Sequence, residues 1–195
     1  MPRQHRKKKS RTKQPQAIAL GLMGAGLLVL GVLAIFLLPK SGTANQPAEQ
    51  SSSIPVAVNF DAPQFDLKDL QGKTVSIEDY RGQVVLVNNW ATWCPPCKAE
   101  MPTLQAFYEE HHKQNFTIVG IEAGESTSDV AQFVKDYGLT FPIWPDVGQK
   151  SILAFHNQNL PNSYVIDRSG QVRLAWTGAI SRKVLEDYVT PLLEE

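Results

Sequence analysis

The chain has only two cysteines in 195 residues, and they stand three positions apart: Cys94 and Cys97, with Pro95 and Pro96 between them. Directly before them runs Val84-Val85-Leu86-Val87-Asn88-Asn89-Trp90, apolar on both faces for most of its length. Directly after them, residues 95–112 carry helical spacing, with Leu104, Phe107 and Tyr108 on one side. This junction constrains the fold more than any other feature. A strand apolar on both faces must be covered on both, which calls for a sheet with helices packed against it. A helix that begins at the prolines puts Cys94 at its N-terminus, where unpaired N–H groups and the helix dipole favour a thiolate. Two cysteines exclude a disulfide framework and a multi-cysteine zinc ribbon.

The pair itself admits few readings. A metal site needs two more ligands, and His111 and His112 lie about four turns along the same helix, out of reach. A c-type haem site needs histidine directly after the second cysteine, where Lys98 stands. A structural disulfide closing so short a loop removes little chain entropy. A redox-active dithiol remains, with Cys94 as nucleophile and Cys97 as its resolving partner. No cofactor and no metal is implied.

The rest of the pattern alternates strand and helix. Short strands are expected at Phe65–Leu67 and Thr74–Ile77, buried strands at Val84–Trp90 and Phe116–Ile121, and a short strand at Phe141–Trp144. Helices are expected at 127–137, with Val130, Phe133 and Val134 inward and Gly138 as the stop, at 148–155 and at 181–193. Ser163–Asp167 and Gln171–Trp176 read as a hairpin turning at Arg168-Ser169-Gly170. Strand–helix–strand units followed by a hairpin and a helix imply an α/β fold around a central mixed sheet.

Residues 17–38 contain no charge. As a helix they would span about 33 Å, enough for a hydrocarbon core, and they lack the polar stripe of a buried core helix. A cleavable signal peptide is the alternative: its apolar part is shorter, but Gly42-Thr43-Ala44 gives a weak cleavage pattern. Arg3, Arg6, Lys7, Lys8, Lys9, Arg11 and Lys13 precede the segment with no acid among them, whereas Lys40 alone follows closely. The positive-inside rule then leaves the N-terminus in the cytoplasm and exports the remainder. The organisation read from this is a basic cytoplasmic tail (1–16), a single transmembrane anchor (17–38), a flexible linker (39–55) and an extracytoplasmic domain (56–195). The 19 basic and 19 acidic residues cancel only because the basic run is terminal, so the body is acidic and no nucleic-acid partner is expected.

The segment Asn89-Trp90-Ala91-Thr92-Trp93-Cys94-Pro95-Pro96-Cys97-Lys98-Ala99-Glu100-Met101-Pro102 resembles the active-site segment of the thioredoxin superfamily. More narrowly it is similar to the membrane-anchored TlpA/ResA/CcmG-like thiol–disulfide oxidoreductases. Ala62-Pro63-Gln64-Phe65, Gly72-Lys73, Tyr80-Arg81-Gly82, Gly124-Glu125-Ser126, Leu160-Pro161, Tyr164-Val165-Ile166-Asp167 and Gly170 extend the likeness over nearly all of residues 60–193. The resemblance implies a three-layer thioredoxin-like fold with an N-terminal strand extension and an inserted strand–helix unit that includes residues 116–137. It implies that Pro161 is the family's cis-proline, with Leu160 before it facing substrate together with Trp93, Pro95, Pro96 and Glu125. It gives Glu100 a proton-handling role near the cysteines and makes Glu125 a second acid near the site; a solvated helix glutamate and a loop residue are the respective alternatives. It also implies protein disulfide substrates, those of apocytochromes c among them, a leaning toward reduction, and a membrane electron donor of the CcdA/DsbD type.

Three departures stand out. Asn88 replaces the buried acid that many thioredoxins carry six residues before the first cysteine, which raises the weight on Glu100. Asn89 replaces an aromatic. Asn162-Ser163 replace the commoner threonines after the proline, at the substrate-facing loop. Other functions fit less well. A peroxiredoxin-like peroxidase needs Thr and Pro three and seven residues before its cysteine, where Ala91 and Val87 stand. A copper chaperone of the Sco type needs Cys-x3-Cys and a distant histidine, for which His156 is the candidate. An adhesion or scaffold domain leaves Trp93-Cys94 without a purpose.

Overall fold

Every residue of Val84–Trp90 is buried, because this strand lies inside a six-stranded sheet with an apolar layer packed on each face. The computed structural model describes residues 54–194. Its elements are β1 (Val56–Asp61), β2 (Leu67–Lys68), β3 (Thr74–Val75), a 3-10 turn (Ile77–Tyr80), β4 (Val84–Trp90), α1 (Pro95–His111), β5 (Phe116–Glu122), α2 (Thr127–Tyr137), β6 (Ile143–Pro145), α3 (Lys150–Ala154), β7 (Asn162–Ile166) and β8 (Gln171–Thr177). The C-terminal segment is α4 (Arg182–Val184), a π-helical turn (Leu185–Val189) and α5 (Thr190–Leu193). The expected tail, the 17–38 anchor and the linker as far as residue 53 lie outside the described residues. Among the described residues no helix is long and apolar enough to cross a membrane.

The sheet order is β1-β8-β7-β4-β5-β6. β4, β5 and β6 are parallel, joined by crossovers through α1 and α2, while β7, β8 and β1 are antiparallel to their neighbours, so the sheet is mixed as expected. One apolar layer holds Val84, Leu86 and Trp90 of β4 against Met101, Leu104 and Phe107 of α1, Phe133 of α2 and Leu185 and Val189. The other holds Val85 and Val87 against Ala62, Leu67, Val75, Ile77 and Phe155. Alternate β4 residues therefore face opposite layers, and Asn88 and Asn89 must follow the same rule.

Several elements differ from the sequence pattern, among them β2, which is Leu67–Lys68 rather than Phe65–Leu67, and β6, which is Ile143–Pro145 rather than Phe141–Trp144. β1 was not among the strands read from periodicity, because it is an edge strand paired only with β8, is largely exposed and carries a register shift between Ala57 and Phe60. The Thr74–Ile77 run stops at Val75: the Ser76 N–H bonds the Asp79 carboxylate at 2.9 Å, and Ile77 opens a 3-10 turn. The 181–193 helix is interrupted by the π-helical turn ahead of Pro191, which has no N–H to continue the ladder.

Candidate active site

β4 ends at Trp90, and the chain turns over Ala91-Thr92-Trp93 into α1. Cys94 is the N-cap: its backbone is extended (φ −85°, ψ 108°), and its sulfur accepts the Cys97 N–H at 3.3 Å. Pro95 and Pro96 fill the first helical positions, where a missing N–H leaves nothing unpaired. The two cysteines are joined as a disulfide. Cys94 keeps 3% of its surface and Cys97 none, whereas Trp93 is 65% exposed and Pro95 and Pro96 are also exposed. The outer sulfur is therefore Cys94, at the positive end of a 17-residue helix.

Glu100 is fully buried one turn beyond Cys97. Its Oε1 accepts from Asn88 Nδ2 at 2.9 Å, and its Oε2 accepts the Ile180 N–H at 2.9 Å. Burial pushes its pKa up to about 7, and the two hydrogen bonds hold it from rising further. The same Asn88 amide donates to Ser163 Oγ at 2.9 Å. A neutral amide of β4 thus bonds the titrating carboxyl of α1.

Glu125 sits on the loop between β5 and α2, whose entry is set by Ser126 capping α2. Its carboxylate accepts the Thr92 N–H at 2.8 Å and the Thr92 hydroxyl at 2.5 Å, so it clamps the turn two residues before Cys94. Burial pushes this carboxyl up, but the Thr92 bonds outweigh it and leave the pKa below its ordinary value. Its stabilisation is thus present above the ordinary carboxylate range and is lost as pH falls through the lowered value. Glu125→Ala should destabilise the domain by about 1–3 kcal/mol, read as a lower denaturant midpoint at unchanged slope.

Glu122, at the end of β5, had escaped the sequence reading. It is fully buried, its Oε2 accepts the Glu125 N–H at 3.0 Å, and its Oε1 has no hydrogen-bond partner among the described residues. Burial, with the Glu125 carboxyl beside it, pushes its pKa to about 8. An acid closing an apolar run three residues before Glu125 was the available signal.

The Leu160–Pro161 peptide bond is cis, as the resemblance implied. Pro161 is buried at the head of β7, and Leu160 packs against the apolar layer that contains both cysteines. The structure thus gathers Cys94, Cys97, Glu100 and Leu160 along one layer at one end of the sheet, with Glu125 bracing the approach. Among the described residues no group of three or more His, Cys, Asp or Glu could hold a metal ion.

Comparison with known proteins agrees with this arrangement. The AhpC/TSA family matches residues 58–175. A Geobacillus thermodenitrificans protein named thiol-disulfide oxidoreductase ResA is 33% identical over 163 residues, covering 84% of this chain and 94% of its own length. The chain belongs to the ResA-like thiol–disulfide oxidoreductases of the AhpC/TSA family. The Bacillus subtilis ResA is 36% identical over 134 residues, 69% of this chain and 75% of its own. A crystal structure of a thiol:disulfide interchange protein of the thioredoxin family from Chlorobium tepidum superposes with a TM-score of 0.63 at 30% identity, covering 71% of this chain and 99% of that one. The ResA-like chain is therefore an enzyme of thiol–disulfide exchange with a Cys94–Cys97 pair on a thioredoxin-like fold.

Proposed function

We propose that this ResA-like protein is a membrane-tethered, extracytoplasmic reductase of protein disulfides, with Cys94 as attacking thiolate, Cys97 as resolving thiol and Glu100 as the group that takes the resolving thiol's proton. The observation that carries the reading is the placement of Cys94 as N-cap of α1 with Cys97 and Glu100 buried on successive turns behind it. The Cys94 thiolate attacks one sulfur of a substrate disulfide, forming a mixed disulfide and releasing the other sulfur as a thiolate. Cys97 gives its proton to Glu100 and attacks the Cys94 sulfur. The Cys94–Cys97 disulfide forms, and the substrate's second sulfur leaves as a thiolate. Two electrons have passed to the substrate, and a membrane dithiol donor of the CcdA/DsbD type returns them.

Apocytochrome c disulfides are the proposed substrates, on the strength of the family resemblance. Residues 17–38 supply the tether, with the N-terminus in the cytoplasm. The reduction potential of the Cys94–Cys97 couple tests the direction: a value near about −250 mV supports a reductase, and one near about −120 mV, in the range of strong oxidants, overturns it. Protease treatment of intact spheroplasts tests the location, since a protected domain would contradict export. A peroxidase remains disfavoured by Ala91 and Val87, and an absence of peroxide consumption by the reduced protein is the expected result.

A further inference from the structure

Asn89 and Asn162, two of the departures from the family pattern, are directly opposite each other on β4 and β7. Both are fully buried on the face away from Glu100. Asn89 Nδ2 donates to Asn162 Oδ1 at 2.8 Å, and Asn89 Oδ1 accepts from Ser151 Oγ of α3 at 2.6 Å. With its oxygen held, Asn162 turns its amide nitrogen to the preceding loop, donating to the Asn159 carbonyl at 2.8 Å and the Asn157 carbonyl at 3.2 Å. Both N–H bonds of this amide and its oxygen are used. The loop has a second tie of its own, Asn157 Nδ2 to Thr177 Oγ1 at 2.9 Å. It ends at Leu160, which packs on the layer holding the two cysteines. A threonine at 162, with one hydroxyl hydrogen, could not bond both carbonyls.

We propose that Asn162 is the positioning residue of the substrate-facing loop: oriented by Asn89 and Ser151, its amide fixes residues 157–160 in the conformation that receives an extended protein chain beside Cys94. The proposal rests on the exchange function proposed above. It differs from a general stabilising role because a loop loosened at this point loses protein docking while the sulfur chemistry of Cys94 is untouched. It also accounts for the paired departures, since Asn89 supplies the amide that donates to Asn162 and accepts from Ser151.

The full-length protein and its Asn162→Thr and Asn162→Ala variants decide this by two readouts. The first is steady-state reduction of insulin disulfides set beside reaction of the reduced pair with the small disulfide 5,5′-dithiobis(2-nitrobenzoate). The second is deuterium uptake of the peptide spanning residues 155–165. The expected result is a KM for insulin raised about tenfold, the worth of one net hydrogen bond, with kcat and the small-disulfide rate within about twofold of the parent. Deuterium uptake should rise in that peptide alone, and Asn89→Ala should show the same pattern more weakly. Unchanged uptake in Asn162→Thr overturns the positioning role whatever the activity. So does an unchanged KM, or a fall of the insulin and small-disulfide rates by one common factor. A parent that reduces the small disulfide but not insulin counts against the protein-reductase reading instead, and the uptake measurement still decides whether Asn162 holds the loop.

Discussion

Cys97→Ala should turn the protein from a catalyst into a single-turnover trap. Cys94 still attacks, the mixed disulfide forms, and no second thiol lies in reach to break it, because the chain contains only these two cysteines. A covalent adduct with protein substrate should accumulate and survive non-reducing electrophoresis, while turnover falls by several orders of magnitude. Cys94→Ala should lose turnover equally and accumulate nothing, since Cys97 is fully buried and holds no helix-cap position. The opposite trapping pattern would reverse the assignment of attacking and resolving thiols.

Glu100→Gln should alter both the pH–rate profile and the pH–stability profile. In the parent the carboxyl's pKa is raised from 4.5 to about 7, first by burial. The folded state therefore holds a proton that the unfolded state has lost between those values, and stability falls as pH rises through this window. The loss amounts to about 3 kcal/mol by the time pH is above the folded value. Glutamine cannot ionise, so its curve should lack that decline. It also presents one oxygen where two donors wait, Asn88 Nδ2 and the Ile180 N–H, which costs about 1–3 kcal/mol at every pH. The variant should thus be less stable than the parent near pH 5 and close to it near pH 8, a convergence that denaturant midpoints at the two pH values would show. Turnover in the parent should rise through about pH 7 as Glu100 becomes able to accept the Cys97 proton. In the variant that limb should vanish and the rate fall by about a hundredfold, the lower end of what a positioned acid–base group supplies. Superimposable pH–rate curves would reduce Glu100 to a structural residue and leave Glu125 and Glu122 as the acids to test.

The two acids divide in how far they could be read in advance. Glu100 was legible because its distance from Cys97 is helical, and helical spacing alone puts two side chains on one face. Its burial and its partners were not, since the Ile180 N–H arrives from a residue 80 positions away and Asn88 from a strand twelve residues back. Glu122 carries a local signal, an acid closing an apolar run, but its burial beside Glu125 depends on how that loop folds back, which the run itself does not show. The clamp of Glu125 on Thr92 likewise joins loops 33 residues apart. β1 was implied only by the resemblance, as the N-terminal strand extension, because its largely exposed residues present no buried face for the local pattern to show.

By itself the sequence determined what depends on near neighbours. Helical period, proline chemistry and cysteine spacing placed Cys94 at a helix start. The apolar run before it required a covered sheet, and Gly138, in the left-handed conformation at φ 63°, ended α2 where glycine alone is at ease. The tertiary structure decided what depends on pairing register. β4 meets β7 so that Asn88 faces Ser163 and Asn89 faces Asn162. A shift of one residue would have sent each amide to the opposite layer, away from Glu100 on one side and from the 157–160 loop on the other. The identities of those four residues are written in the chain, but which face each one serves is fixed only when the strands pair.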